Sequence, residues 1–191
     1  STLDRIDFSG ENITGIELTN SKLHKVRSGN VTLDRGAQAQ LPDEWHLAGG
    51  FLLGPTADLS YETLSNVVLS KDIDLTNANL NGLKSNNISG NPELPSGWSL
   101  VKQERTSSGF LLGPGANLDD ANFFNTNLSD VDLGSLDLRT SVLDRVRSKR
   151  TTGSPLLPAG WKLDGGYLLG PTADLSDSYL KGVDLSNVRL R

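Results

Sequence analysis

The chain has neither cysteine nor methionine in its 191 residues. The first absence excludes disulfides and thiolate metal sites, and it leaves the redox compartment open. The second means that Ser1 is not a translation start, so a processed chain or a piece of a longer one is expected. Aromatic residues are only 6% of the sequence and hydrophobic residues 36%, too lean for a thick globular core. No apolar run approaches the ~18 residues of a membrane-spanning helix, and Ser1-Thr2-Leu3-Asp4-Arg5 does not read as a signal peptide; no membrane insertion is expected. The charged fraction of 21% is too low for a disordered polyelectrolyte, and a net charge of -5 gives no general attraction to nucleic acid or anionic membrane. Glycine, serine, asparagine and threonine fill the gap, which suits a thin core with many tight corners.

What is present is a period. Phe8, Ile13, Leu18 and Leu23 recur every fifth residue, as do Leu118, Phe123, Leu128, Leu133, Leu138 and Leu143. A helix would space its apolar residues by three and four, and a strand would alternate them. A sustained gap of five needs a chain that turns a corner every five residues. The central leucine, or phenylalanine, and the residue two before it then face a narrow axis, while the Asp or Asn before the leucine points outward and can bond to corner amides. Between Leu69 and Leu75 the step is six, so a one-residue bulge is expected near Lys71-Asp72.

A second kind of segment interrupts the runs three times. It opens Leu41-Pro42-Asp43-Glu44-Trp45, Leu94-Pro95-Ser96-Gly97-Trp98 or Leu157-Pro158-Ala159-Gly160-Trp161. After a glycine-containing turn it closes on Gly-Phe/Tyr-Leu-Leu-Gly-Pro, which reads as a β-hairpin. The middle turn, Val101 to Gly109, is the longest, and an exposed tip is expected there. Trp45, Phe51, Trp98, Phe110, Trp161 and Tyr167 are expected to form an aromatic mini-core on the side of each hairpin. The resulting order is a run over 1–35, a hairpin over 36–56, a run over 57–89, a hairpin over 90–115, a run over 116–152, a hairpin over 153–172 and the start of a run over 173–191. Pro55, Pro114 and Pro171 set a long repeat of 59 and then 57 residues. Ser28, Ser85 and Ser148 stand where a leucine is due, just before each hairpin, and read as the end of a run where the core gives way.

Ala57-Asp58-Leu59-Ser60, Ala78-Asn79-Leu80-Asn81, Ala116-Asn117-Leu118-Asp119, Ala121-Asn122-Phe123 and Ala173-Asp174-Leu175-Ser176 resemble the pentapeptide-repeat family, whose motif is tandem Ala-Asp/Asn-Leu-x-x. The resemblance spans all four runs. It implies an all-β fold, a right-handed quadrilateral β-solenoid with four pentapeptides per coil, here interrupted by β-hairpin loops. The hairpins depart from the plain repeat and look like the interrupted arrays of some large bacterial members.

No residue set demands a chemistry. His24 follows a central leucine and faces out, and His46 sits in a hairpin strand; neither has a partner at metal spacing. Most carboxylates occupy the position before the leucine, which the repeat itself asks for. No enzyme activity, cofactor or metal is expected. Arg145, Arg147, Lys149 and Arg150 form the one basic cluster, and with Lys102, Glu104 and Arg105 of the middle tip they are the candidate interaction surface. The expected function is a non-catalytic structural or interaction module within a longer repeat rod, secreted or at the cell surface. A protein or glycan is the expected partner, with end-to-end self-association through uncapped coils as a further contact. The alternative implied by the resemblance is a DNA mimic acting on DNA gyrase; the low net charge and the interrupting hairpins speak against it. A polysaccharide-active enzyme would need an acidic cluster that the sequence lacks.

Overall fold

A computed structural model describes residues 1–104 and 106–190. The described residues form only short strands of two to five residues in small sheets, joined by turns, with no helix. The chain divides into two compact units: Ser1–Leu83 with Asn87–Ser96, and Lys84–Asn86 with Gly97 onward.

Within each unit the chain returns alongside itself in parallel at the interval that four fives produce. In the first unit Asp7 bridges Arg27 and Asn12 bridges Thr32; in the second Asn122 bridges Val142, Asn127 bridges Arg147 and Asp132 bridges Thr152. Each pair is 20 residues apart. Asp58 bridges Asn79, one residue further on, so the insertion near Lys71 lengthens that return without breaking it.

The corners follow from the side chains. Asp7 Oδ1 accepts the N–H of Ser9 at 2.8 Å, Asn12 Oδ1 that of Thr14 at 2.9 Å, and Asn127 Oδ1 that of Ser129 at 3.0 Å. These are Asx turns, in which the residue before the leucine supplies the acceptor. The leucine carbonyl takes the N–H three residues on, as from Ala121 to Leu118 at 3.0 Å. Corners then enter the left-handed region, and the residues there are mostly Gly, Asn and Asp, which tolerate it.

The central residues are buried: Leu128, Leu133, Leu138 and Leu143 are at most 2% exposed. Positions two earlier share the interior, filled by Ala121, Thr126, Leu136, Ser141 and Val146. Two hydroxyls at such positions bond to the neighbouring turn of chain, Ser141 to the Leu118 carbonyl at 2.9 Å and Thr151, further along the run, to the Leu128 carbonyl at 2.8 Å. In the fourth run Leu185 and Leu190 are more than 40% exposed.

The parallel ladder passes each hairpin. Arg27 bridges Asp58 in the first unit, and Lys84 bridges Asn117 in the second. Beyond the third hairpin the N–H of Asp174 donates to the Val146 carbonyl at 3.0 Å. Each hairpin therefore lengthens one return of the chain and does not end the stack. Its strands are antiparallel, as the glycine turns predict: His46–Ala48 with Phe51–Leu53, Ser99–Lys102 with Ser108–Leu112, and Lys162–Asp164 with Tyr167–Leu169.

This corrects the reading of the three serines. Ser28, Ser85 and Ser148 are 0–4% exposed and do not mark a failing core. Their hydroxyl oxygens accept the N–H of Leu52, Leu111 and Leu168 at 2.8, 2.8 and 2.7 Å. At these places the neighbouring chain is the hairpin's return strand, whose N–H points into the interior. A leucine would leave that donor without an acceptor, and serine supplies one.

Candidate interaction surface

Each hairpin is fixed by a glycine against its tryptophan, and the first and third by a second glycine at the tip. A Cβ on Gly54 would stand 2.5 Å from the Trp45 ring, and Gly113 and Gly170 lie as closely against Trp98 and Trp161. None of the three is in the left-handed region, so glycine is needed there for space and not for backbone freedom. At the tips, Gly49 packs on Val67 and Gly165 on Val183, where a Cβ would meet the valine methyl at 2.5 and 2.8 Å. Gly49 and Gly165 also have φ of +59° and +56°, so both reasons hold there.

In the second unit Phe110 and Trp161 are not set apart from the main core. In the second unit Phe110, Leu112 and Leu168 belong to the same buried cluster as Leu118, Phe123 and Leu128, and Trp161 packs against it. Phe110 and Phe123 are 4.7 Å apart between ring centroids. Phe51, Phe110, Tyr167 and Trp45 are 3–7% exposed, while Trp98 and Trp161 are half-buried. The return strand occupies a ladder position, so its side chains join the ladder.

The long middle tip is not free. The Gln103 and Thr126 backbones pair antiparallel, Gln103 Nε2 donates to the Asn122 carbonyl at 3.0 Å, and the N–H of Glu104 donates to the Asn125 carbonyl at 2.9 Å. The tip thus covers an edge of the third run that has no parallel neighbour at this place, which sequence inspection of the tip alone does not reveal.

The structure brings part of the predicted surface together and disperses the rest. Arg147 holds Glu104 at 3.0 Å and Asp174 at 2.9 Å. Arg150 makes two 2.6 Å bonds to Asp130, one turn of chain below it. Arg145 lies over the Phe124 ring, 5.7 Å from its centroid. Lys102 and Lys149 are exposed, and Arg105 lies outside the described residues. Two of the four cations in the cluster are thus engaged by carboxylates of this chain. Asp174 is drawn from its ordinary 3.8 to about 2, first by the Ser176 hydroxyl and then by Arg147. Elsewhere His24 Nδ1 meets Asp4 Oδ1 at 2.6 Å on the surface. Among the described residues no three His, Asp or Glu side chains converge in the manner of a metal site.

Residues 114–145, from the second Gly-Pro corner through most of the third run, match the family model for pentapeptide repeats in eight copies. No curated protein and no solved structure matches the chain.

Proposed function

From the match of residues 114–145 to the family model for pentapeptide repeats, we propose that this chain is a non-catalytic interaction module built on a right-handed, four-sided solenoid. In this reading four fives make one coil, and each hairpin is a displayed insertion in a coil that otherwise continues. One observation carries it: the parallel ladder resumes past the first two hairpins, a backbone bond from Asp174 to Val146 rejoins the chain past the third, and each hairpin is tied in by the same serine-to-leucine bond. An insertion that leaves its scaffold intact is free to vary, and loops on rigid scaffolds are where binding residues concentrate. The Pro-x-x-Trp turns and hairpin tips differ between copies, whereas the ladder positions stay alike.

The gyrase reading has no observation in its favour. Its acidic face is interrupted by cations already paired to it, with Arg139 on Asp137 and Arg150 on Asp130. Biolayer interferometry of the chain against separated envelope proteins and polysaccharides tests the proposal. Saturable binding with the ligand recovered chemically unchanged is the expected result. Release of cleaved or modified ligand, or protection of gyrase in a supercoiling assay, overturns it.

A further inference from the structure

At the first hairpin junction three residues depart together from what the other two copies carry. Tyr61 stands where the later copies have Asp120 and Asp177. Glu62 stands where they have Ala121 and Ser178, at the inward position that the repeat fills with a small residue. Gly29 stands where they have Asn86 and Lys149. The three meet around one open cleft of about 420 Å³, which Asn30, Phe51 and Thr63 also line.

Tyr61 costs the fold something that its sister residues would not. Tyr61 has φ +59°, the one aromatic among the thirteen described non-glycine residues in the left-handed region, where a bulky side chain is strained and Asp is tolerated. Its ring is nonetheless held in place. It rests against Gly82, where a Cβ would approach to 2.5 Å, and its hydroxyl accepts a bond from Asn81 Nδ2 at 3.3 Å. It remains 74% exposed, so burial does not explain it. Gly29 is not in the left-handed region; a Cβ there would come to 3.3 Å from Glu62 Oε2 and 3.5 Å from Phe51. Its hydrogen keeps the cleft beside the carboxylate open. Glu62 is fixed by Arg27 at 2.8 Å, which orients it and offsets its charge.

We infer that this cleft is a subsite for a neutral sugar ring, stacked on Tyr61 with its hydroxyls bonded by Glu62, Asn30 and Thr63. The negative face of an aromatic ring attracts the polarised C–H bonds on one side of a pyranose, and a pinned ring loses little freedom on binding. A carboxylate and an amide accept and donate to the hydroxyls on the sugar's edge. No Lys or Arg is among the lining residues, and the nearby cation Arg27 is already paired with Glu62, so no free positive charge awaits an acidic sugar. The assignment rests on the interaction-module reading above and names its ligand class.

The test is a printed array of neutral hexose and N-acetylhexosamine oligosaccharides beside sialylated and sulfated ones, probed with the full chain and three variants. Binding to one or more neutral oligosaccharides is expected, weaker by tenfold or more in Tyr61→Asp and Gly29→Ala. It should be unchanged in Tyr179→Ala, which removes an equally exposed tyrosine from the fourth run. Tyr61→Asp should keep the far-ultraviolet dichroism and thermal midpoint of the parent, since two sister corners already carry Asp. No neutral glycan bound, equal binding by Tyr61→Asp, or preference for the anionic sugars overturns the assignment. A chain that binds no sugar but saturably binds envelope protein overturns this site and leaves the module reading standing.

Discussion

Ser148 Oγ accepts the backbone N–H of Leu168 at 2.7 Å, inside a core where neither residue is more than 2% exposed. The bond repeats at Ser28 with Leu52 and at Ser85 with Leu111. It is the point where a five-residue ladder accepts a strand of different geometry. Replacing Ser148 by alanine makes the core more apolar, yet it leaves a buried N–H unpaired at a cost of roughly 1–3 kcal/mol. Urea unfolding of Ser148→Ala should show a lower midpoint at unchanged slope; an unchanged midpoint would remove the bond from the account. Ser148→Leu, which restores the repeat's own residue, should fare no better, because the site is closed and the N–H still lacks an acceptor.

Glycine at the Gly-Pro corner makes room for an indole. Gly54→Ala should displace Trp45, because the new methyl would lie 2.5 Å from its ring. Tryptophan fluorescence should shift to the red as the now 7% exposed side chain moves outward, with a loss of about 1–3 kcal/mol. Gly10→Ala offers a contrast: nothing lies within 4 Å of its Cβ, so only the backbone strain of φ +76° applies.

Thr126 carries the one buried side-chain oxygen among the described residues that has no hydrogen-bond partner. Its neighbours at like positions, Ser141 and Thr151, both bond to a carbonyl. Thr126→Val keeps the branched shape and removes the unpaired hydroxyl, so it should stabilise the fold by about 1 kcal/mol. A lower denaturation midpoint would mean that the hydroxyl has a partner after all.

Arg147 joins the middle tip to the run that follows the third hairpin, through Glu104 and Asp174. Its side chain is 39% exposed, so Arg147→Ala should cost no more than about 1 kcal/mol globally. The local effect should be larger: hydrogen exchange at the Gln103 and Glu104 amides should quicken. The difference between parent and variant should shrink at high salt, which screens the pairs.

Acid should weaken the second unit in a defined window. Asp174 is held at about 2 against an ordinary 3.8, by Ser176 foremost and then Arg147. Asp137 and Asp184 are also at about 2, Asp137 through Arg139 and Asp184 through the backbone and hydroxyl of Ser186. Because these pKa values are lowered by folding, their contribution is complete above about pH 4 and is lost as the pH falls toward 2. The thermal midpoint should fall across that window, and Asp174→Asn should flatten part of the fall. A parent midpoint that does not change between pH 4 and 2 would contradict the assignment.

The repeat period was legible because each five carries its own instructions. Asp or Asn supplies the turn acceptor, leucine the interior residue, and Gly or Asn the left-handed corner; all three act within a few residues of each other. The hairpins were legible for the same reason, from the glycine turns at Gly49-Gly50 and Gly165-Gly166 and the short apolar stretches beside them. The functions of Ser28, Ser85 and Ser148 were not, because a serine among leucines looks like a defect until the strand beside it is known. Likewise the basic cluster looked free in the sequence, since Asp130 lies 20 residues from Arg150 and Asp174 27 residues from Arg147.

Sequence alone therefore determined the local turn, the repeat and the places where the repeat is interrupted, since these depend on contacts of short range. Tertiary structure decided which cations meet carboxylates, that the long tip covers an edge of the third run, and that the ladder continues past each hairpin. It also brought Gly29, Tyr61 and Glu62 around one cleft. These are contacts between residues some twenty to forty positions apart, and only the stacking of successive turns of chain brings such residues together.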